Sequence, residues 1–247
     1  MQPILGVDVG ASGVKGAMVD VDSGTLLSER FRLEMPADSR PDIVSDVFGQ
    51  IVTHFGYRGK VGVGFPSVVK KNVALTAANL HSDWIGCNIA DCFSRATGCE
   101  IVALNDADAA GAAEMQFVFG NQPPAGTVVF ITIGTGLGSA VFLNGKLLPN
   151  TEFGHFHLPN GKLAEQYASN AVKKRKELTW LEWGKRFNQY LERLDLLLQP
   201  DLIILGGGSS KKFNEYKECI SIKTPVQPAK LLNEAGIIGA AVYAAQH

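Results

Sequence analysis

Two stretches of this chain, roughly half a chain apart, share one pattern: an apolar run, a short turn rich in glycine and hydroxyl residues, and a second apolar run. The first stretch spans Ile4 to Val21 with the turn at 10–13, and the second spans Thr127 to Leu143 with the turn at 134–136. Short apolar runs that contain β-branched residues and are bounded by glycine predict buried β-strands. The repeat therefore predicts a duplicated architecture built from two strand–turn–strand units.

Both turns have the composition of anion-binding loops. Glycine has no Cβ, so backbone N–H groups at such a turn can approach a phosphate closely, and the hydroxyl groups of Ser12 and Thr135 can donate to the same anion. Lys15, just beyond the first turn, is either a phosphate contact or an exposed strand residue. A second interpretation of the turn at 134–138 is a tight hairpin whose glycines only reverse the chain. Asn144-Gly145 predicts a further reversal, because both residues tolerate a positive φ.

Two acidic residues are associated with apolar strands. Asp8 lies inside the first one, where a carboxylate needs a partner, and a Mg²⁺ ion or a metal-bound water bridging to phosphate would be suitable. Asp106 follows the apolar run 101–104 after one intervening residue, Asn105, and lies in the first turn of a predicted helix. The alternative for Asp106 is a structural one, in which Asn105 is the N-cap and the acid complements the helix dipole.

Glu152 and His155 lie three residues apart on either side of Gly154, in a segment predicted to be a loop. Such a pair can present an acceptor and a donor to one ligand, and sugar hydroxyls require both. The alternatives are an ordinary polar loop and a metal site of His155 with His157. The metal site is the weakest of these, because no cysteine or further histidine is close in sequence.

Composition narrows the class of protein. The chain has 247 residues, 46% of them hydrophobic, and a formal net charge of −1, which argues against a general nucleic-acid surface. No apolar run approaches the length of about 18 residues needed for a membrane helix, and the N-terminus lacks the pattern of a signal peptide. The four cysteines have no CxxC spacing and are expected to be reduced thiols. These features predict a cytoplasmic enzyme or sensor that does not act at a membrane.

Hydrophobic periodicity outlines the remaining elements. Helices are predicted at residues 43–55, 88–97, 105–119, 163–175, 179–198, 211–219 and 235–246. Further strands are predicted at residues 25–33, 60–65, 101–104, 201–205 and 221–226, with a loop at 68–86. Thr179 and Glu182 form a capping-box pattern at the start of one helix. Strands followed by alternating strands and helices in each half predict an α/β protein with two lobes.

Five separated motifs resemble those of one family. They are DVGASGVK at 8–15, LNDADAAGAAE at 104–114, ITIGTGLGSA at 131–140, NTEFGH at 150–155 and LIILGGGSSKK at 202–212. Their order and content resemble the sugar kinases of the ROK family, and within it the branch of glucokinases that use polyphosphate. The resemblance extends over nearly the whole chain, which makes it far more specific than a single glycine pattern.

The resemblance implies a fold and a division of the chain. Members of the family have the actin-like, ribonuclease-H-like fold, a duplicated two-lobe architecture with a central cleft. We therefore expect a small N-terminal lobe formed by residues 1–104 plus 235–247. The large C-terminal lobe is expected at residues 105–234, with the catalytic acid, the second phosphate turn and the sugar ligands.

The resemblance also implies roles for individual residues. Asp106 corresponds to the general base that activates the attacking sugar hydroxyl. The expected sugar-binding residues are Asn105, Asp106, Glu152, His155 and Glu165. Glu165 is assigned because a third acidic sugar ligand usually follows a cysteine-rich zinc loop, and here FHLPNGKLAE at 156–165 replaces that loop. No structural zinc is therefore expected.

The same resemblance adds the glycine run near 207 to the expected phosphate-binding residues. The full set of expected phosphate-binding residues is Asp8, Gly10, Ala11, Ser12, Gly13, Lys15, Gly134, Thr135, Gly136, Gly207 and Gly208. Asp8 is also a candidate ligand of Mg²⁺. Ser12 stands where threonine is commoner in the family, which keeps the hydroxyl group.

The implied reaction is phosphoryl transfer to the 6-hydroxyl group of glucose, or of its epimer mannose, from inorganic polyphosphate, ATP or both, with Mg²⁺. Polyphosphate is a long polyanion and should require a series of cations that leads to the glycine turns. Three basic clusters are candidates for it, at 70–71, 173–176 and 211–212, and each is alternatively a solvated surface. A homodimer is expected by analogy, and neither nucleic acid nor membrane is an expected partner.

Two other functions compete with this one. The first is an ATP-dependent kinase of the same family that acts on another hexose or an amino sugar, although the missing zinc cysteines count against it. The second is a sugar-sensing regulator. Such regulators carry a helix-turn-helix before the first hairpin, whereas here the first strand is predicted to begin at Ile4.

Overall fold

The structure, a computed structural model, describes residues 2–120 and 122–247. The chain forms two compact units, the first made of the residues up to Phe117 together with 234–247, and the second of residues 118–233. The division thus falls at 117/118, whereas the sequence led us to expect it at 104/105. The reason is packing: the helix that begins at Asp106 stays with the first unit, where the backbone of Ala109 lies against Gly239.

The secondary structure alternates between strands and helices along the chain. The strands are β1 (Ile4–Gly10), β2 (Gly13–Asp20), β3 (Thr25–Leu26), β4 (Phe31–Glu34), β5 (Lys60–Phe65), β6 (Val69–Lys70), β7 (Val73–Ala74), β8 (Glu100–Asn105), β9 (Thr127–Ile133), β10 (Leu137–Leu143), β11 (Lys146–Leu148), β12 (Leu202–Gly206) and β13 (Val226–Pro228). The α-helices are α1 (Pro41–His54), α2 (Ile89–Thr97), α3 (Asp106–Val118), α4 (Ala164–Ala168), α5 (Asn170–Arg175), α6 (Trp180–Leu198) and α7 (Ala235–Gln246).

The sheet of the first unit has the strand order β3-β2-β1-β5-β8, and β4 also pairs with β2. The hairpin β1–β2 is antiparallel, whereas β1, β5 and β8 are parallel. The register aligns Asp8 with Gly64 and Phe65 with Asn105. Because parallel strands end at a common edge of the sheet, the carboxyl ends of β1, β5 and β8 bring Asp8, Asn105 and the following Asp106 to that edge.

Helix α7 lies against the first sheet at unusually close range. A Cβ built on Gly6 would lie 2.1 Å from the carbonyl oxygen of Ile237, and one on Gly62 would lie 1.9 Å from that of Ala240. Glycine at these two strand positions therefore lets the helix backbone approach the sheet directly. Helices α1 and α2 pack against apolar residues of the same sheet, and this core includes the stacked rings of Phe48 and Phe93.

The sheet of the second unit has the strand order β11-β10-β9-β12-β13. The β9–β10 hairpin is antiparallel, and β12 is parallel to both β9 and β13. Helix α6 begins with the predicted capping box, in which Thr179 and Glu182 bond to each other's backbone N–H groups. Its buried face contributes Trp183, Phe187 and Leu191 to the core of this unit. Each unit thus contains the antiparallel hairpin that the repeat predicts, followed by parallel strands.

Several boundaries differ from the predictions. The helix predicted at 163–175 is two short helices, α4 and α5, separated at Ser169. The helix predicted at 211–219 is a pair of 3₁₀ helices at 208–215 and 217–219, and the following strand is at 226–228 instead of 221–226. The segment 68–86 contains the β6–β7 hairpin. Among the described residues, no helix is both long and apolar enough to cross a bilayer.

Candidate active site

The first glycine turn joins β1 to β2. Gly10 pairs with Gly13 across the hairpin, so Ala11 and Ser12 form a two-residue connection. Ser12 is exposed at its tip. A Cβ on Gly13 would lie 2.6 Å from the carbonyl oxygen of Leu33 in β4, so this position requires glycine for steric reasons. The turn is therefore held against β4 on one side and presents Ser12 on the other.

Asp8 and Lys15 form an ion pair beside this turn. They are directly opposite in the β1–β2 register, and the Lys15 Nζ lies 3.2 Å from the Asp8 Oδ2. The Asp8 side chain is 19% exposed and that of Lys15 is 28% exposed. A carboxylate inside a strand was expected to have a partner, and Lys15 is such a partner in the structure.

Arg32 is a residue that the sequence analysis did not select. It lies opposite Lys15 in the β2–β4 register, and its Nη2 donates to the carbonyl oxygen of Ser12 over 2.7 Å. The sequence held one available signal, an arginine between the apolar residues Phe31 and Leu33. The pairing register of β2 with β4 cannot be read from the sequence, and it is this register that brings Arg32 to the glycine turn.

Asn105 and Asp106 lie at the junction of β8 and α3. Asn105 is 5% exposed, and its Oδ1 accepts from the backbone N–H groups of Ala107 (2.9 Å) and Asp108 (3.0 Å), so it is the N-cap of the helix. Its Nδ2 donates to the carbonyl oxygen of Ser67 over 2.9 Å. Asp106 is partly exposed, and its Oδ1 accepts from the N–H of Ala107 over 2.8 Å. Asn105 is therefore the N-cap of α3, which was one part of the structural alternative considered for Asp106.

Two glycines leave room for Asp8 and Asp106, Gly64 in β5 and Gly236 in α7. The Asp106 Cα lies 3.5 Å from the position that a Cβ on Gly64 would occupy. The Asp8 Cγ lies 3.2 Å from the corresponding position on Gly236, in the first turn of α7. The first unit thus gathers Asp8, Lys15 and Asp106 near one edge of its sheet.

The second glycine turn joins β9 to β10 at residues 134–136. Gly134 donates its N–H to the carbonyl oxygen of Gly136 over 3.1 Å, and Gly134 and Thr135 are exposed. Gly207 has φ of +76°, and a Cβ there would lie 2.6 Å from the carbonyl oxygen of Ile133, the last residue of β9. The structure therefore brings the glycine run after β12 next to the 134–136 turn, with Gly208 exposed at its end.

Glu152, His155 and Glu165 form a cluster in the second unit. The His155 Nδ1 lies 3.1 Å from the Glu152 Oε2, and its Nε2 lies 3.7 Å from the Glu165 Oε1. The side chains of Glu152, His155 and Glu165 are 31%, 41% and 18% exposed, respectively. The structure thus brings together three of the five residues that the resemblance assigns to sugar binding.

Strand β10 positions this cluster relative to the second glycine turn. The Ser139 Oγ donates to the carbonyl oxygen of Thr151 over 2.8 Å and accepts from the N–H of Phe153 over 3.0 Å. A Cβ on Gly154 would lie 2.1 Å from the carbonyl oxygen of Leu137, the first residue of β10. Because the strand that leaves the glycine turn also anchors the loop, the turn and the cluster have a common support.

Burial raises the pKa of the Glu152 carboxyl group above its ordinary value of 4.5. The nearby Glu165 acts in the same direction, whereas His155 opposes it by Coulomb attraction and by hydrogen bonding. Desolvation is the largest of these effects, since a carboxylate loses hydration when it is covered by protein.

No group of three or more His, Cys, Asp or Glu side chains suited to a metal occurs in the part of the chain that the structure describes. The segment 156–165 contains a small hairpin, in which His157 bridges to Leu163, and Glu165 follows in α4.

Comparison with known proteins identifies the family. The profile of the ROK family matches residues 4–171. This chain belongs to the ROK family. Its ROK relatives include the polyphosphate glucokinase of Mycobacterium tuberculosis (strain CDC 1551 / Oshkosh), 44% identical over 96% of this chain and 89% of the relative. The polyphosphate glucokinase of Mycobacterium leprae (strain TN) is 42% identical over 96% of this chain and 73% of its own length.

Among solved structures, the inorganic polyphosphate/ATP-glucomannokinase from Arthrobacter sp. strain KM is similar to this ROK protein. The two chains are 39% identical, with a TM-score of 0.96 and complete coverage of both. The fold is therefore that of the ROK sugar kinases, the actin-like ATPase fold predicted from the motifs.

Proposed function

We propose that this protein is a polyphosphate-dependent glucokinase. It transfers the terminal phosphoryl group of inorganic polyphosphate to the 6-hydroxyl group of glucose, and ATP is a second donor. Membership of the ROK family and the 44% identity to a polyphosphate glucokinase support a phosphotransferase with an alcohol acceptor. The 39% identical Arthrobacter protein carries both donors and two hexoses in its name, which supports testing ATP and mannose beside polyphosphate and glucose.

The observation that carries the sugar-kinase proposal is the cluster of Glu152, His155 and Glu165. A carboxylate near each ring nitrogen of His155 keeps the imidazole in one orientation. Each sugar hydroxyl group can donate a hydrogen bond to a carboxylate and accept one from an N–H group. The two carboxylates and the imidazole can therefore bind adjacent hydroxyl groups, as acceptors and as a donor. An ATPase that acts on water would not require such a set.

Asp106 is the proposed general base. It accepts the proton of the 6-hydroxyl group as the oxygen forms its bond to the terminal phosphorus, and the bond between that phosphorus and the bridging oxygen breaks. The remaining polyphosphate, shorter by one unit, leaves with the electron pair of that bond. Asp106 suits this role because it is partly exposed and begins α3, where the capping by Asn105 holds the backbone in place.

The two glycine turns are the proposed binding groups for the donor. Phosphoryl transfer depends mainly on positioning and on electrostatic stabilisation of the phosphate oxygens. In the first unit these groups are the backbone of residues 10–13, the Ser12 hydroxyl and the Lys15 ammonium. In the second unit they are the 134–136 turn with the Thr135 hydroxyl, and the adjacent Gly207 and Gly208.

Phosphotransferases of this kind normally use Mg²⁺, and the residues present fit such an ion. Mg²⁺ is usually bound by one or two carboxylates together with substrate phosphates, and Asp8 lies beside the first glycine turn with Oδ2 directed to Lys15. Bound there with the donor, the ion would neutralise charge on the phosphate oxygens. The protein's own share is to hold the Asp8 carboxylate with Lys15 and the start of α7.

The deciding experiment is an assay of glucose 6-phosphate formation by the purified protein with Mg²⁺, run with long-chain polyphosphate and with ATP. Turnover with polyphosphate supports the proposal, and mannose in place of glucose defines the acceptor range. Turnover with ATP alone would instead indicate an ATP-dependent kinase of the same family. Light scattering on the same sample tests the homodimer expected from the family.

A further inference from the structure

A basic helix begins at the second glycine turn. The N–H of Ala171, in the first turn of α5, donates to the carbonyl oxygen of Gly134 over 3.3 Å. The residues 173–176 that follow are Lys-Lys-Arg-Lys. Because a helix rises by about 1.5 Å per residue, these cations begin within about one helical turn of that hydrogen bond.

The core of the second unit holds this helix in position. Val172 is 2% exposed, and its N–H donates to the Oγ of Ser169, the N-cap, over 3.4 Å. The Nε1 of the buried Trp183 donates to the carbonyl oxygen of Ala168 over 2.9 Å, immediately before that cap. The basic segment is therefore attached to the folded core next to the turn and is not a free surface loop.

Three of the four cations face solvent. Lys174, Arg175 and Lys176 are exposed, whereas the Lys173 Nζ lies 4.2 Å from the centre of the Trp180 ring, a cation–π contact. One carboxylate, that of Glu177, follows directly. The exposed part of the segment thus keeps an excess of positive charge.

The other two basic clusters are weaker candidates. The Lys212 Nζ is paired with the Glu215 Oε1 at 2.9 Å, which leaves Lys211 as the unneutralised cation of that pair. Lys70 and Lys71 lie at the tip of the short β6–β7 hairpin, in the first unit. Neither segment is joined to the 134–136 turn by a backbone hydrogen bond such as that of Ala171 to Gly134, as far as the described residues extend.

We propose that Lys174, Arg175 and Lys176 bind the polyphosphate chain beyond the phosphates held at the glycine turn. This inference rests on the proposed function and adds the residues that determine donor preference. ATP has three phosphates followed by an uncharged ribose, so it does not extend a polyanion past the turn. Long polyphosphate does, and each further phosphate gains from a nearby cation. The cluster, called the α5 cluster below, therefore favours long polyphosphate over ATP.

The test is the Michaelis constant of a triple variant, Lys174→Gln, Arg175→Gln and Lys176→Gln, for long-chain polyphosphate and for ATP. A matched control removes three exposed lysines elsewhere in the second unit, with Lys146→Gln, Lys185→Gln and Lys223→Gln. The control changes the net charge equally, so it separates a local contact from general electrostatics. Turnover with saturating ATP verifies that both variants are folded.

We expect the Michaelis constant for polyphosphate to be about tenfold higher in the α5 variant, because the free energies of three exposed charge contacts add to about a factor of ten. The Michaelis constant for ATP should not change. Equal effects on both donors, or equal effects of the α5 and control variants, would overturn the assignment while leaving the glucokinase proposal intact. A wild-type protein that turns over ATP but not polyphosphate would instead refute the proposed polyphosphate function itself. The affinity for a single-stranded oligonucleotide can be measured by competition with polyphosphate. If the α5 variant loses more affinity for the oligonucleotide than for polyphosphate, the cluster is a nucleic-acid surface and the assignment is overturned.

Discussion

Asn105 illustrates how one side chain can serve both the fold and the proposed site. Its Oδ1 accepts two N–H groups at the start of α3, and one Nδ2 hydrogen is donated to Ser67. An asparagine amide has two N–H groups, so the second can serve the proposed contact with a sugar hydroxyl. Because the Asn105 side chain bonds both to the start of α3 and to Ser67, the backbone next to Asp106 is held in place.

The first residue-scale prediction concerns Asp106. Replacing it with asparagine keeps the size of the side chain but removes the proton acceptor. We expect Asp106→Asn to retain glucose binding, measured by calorimetry, and to lose more than about 10²-fold in turnover, the low end for a positioned base. Near-normal turnover would remove Asp106 from the role of general base.

A second prediction follows from the raised pKa of Glu152. When folding raises the pKa of a carboxyl group, the folded state binds the proton more tightly. The resulting contribution to stability is fully present below pH 4.5, the ordinary pKa, and is lost as the pH rises through the folded-state pKa. We therefore expect the free energy of unfolding of the wild type to fall relative to that of Glu152→Gln as the pH rises through this range. Chemical unfolding of both proteins at several pH values measures this difference. A pH-independent difference would contradict the assignment.

A third prediction concerns Arg32. Its bond to the Ser12 carbonyl fixes the first glycine turn, so Arg32→Ala should raise the Michaelis constant for the phosphoryl donor by about fivefold, a typical value for one exposed charged contact. The constant for glucose should not change. Arg32→Lys is the matched variant, since it keeps the charge but lacks the planar guanidinium. If the lysine variant behaves as the wild type, charge and not the bond to Ser12 is the relevant property.

At the scale of elements, the close contact of α7 with the first sheet is the most sensitive feature. A Cβ on Gly62 would lie 1.9 Å from the backbone oxygen of Ala240, which cannot move without displacing the helix. We expect Gly62→Ala to destabilise the protein by about 2 kcal/mol or more, seen as a melting temperature lower by about 4 °C or more.

The control for this prediction is Gly49→Ala in α1. There the new Cβ would lie 3.6 Å from the carbonyl oxygen of Ala96, an ordinary contact. Alanine is also favoured over glycine inside a helix by about 0.5–1 kcal/mol. The melting temperature should therefore rise slightly. A similar loss in both variants would show that the α7 contact has no special importance.

Elements with strong local patterns were predictable, and those decided by weak patterns were not. Helix α2 starts after Asn88, close to the predicted start of the segment 88–97, and α6 starts after Thr179, as its capping box predicts. The break between α4 and α5 was missed because Ser169 is compatible with a helix interior as well as with an N-cap. An α-helix was predicted at 211–219, but residues 208–215 form a 3₁₀ helix that begins directly after Gly207, whose backbone packs against Ile133.

At the scale of the whole molecule, net charge is the relevant property. A formal net charge of −1 gives no general attraction for a polyanion, so polyphosphate binding must rely on local cations. Raising the ionic strength from about 0.05 to 0.2 M should raise the Michaelis constant for polyphosphate several-fold, because salt screens exposed charges. The constant for glucose, an uncharged ligand, should stay the same. A parallel rise in both constants would indicate an effect of salt on the fold.

The sequence by itself determined the duplicated strand–turn–strand units and the α/β class, because both depend on local pattern and spacing. The resemblance of five motifs to one family identified that family and implied the roles of most candidate residues. Only the tertiary structure decided which residues meet. Strand register brought Arg32 to the Ser12 carbonyl, and the loop on Ser139 brought Glu152 and His155 to Glu165. The hydrogen bond of Ala171 to Gly134 distinguished the α5 cluster from two others of similar composition. Contacts between residues distant in sequence depend on packing of the whole chain, which no local pattern encodes.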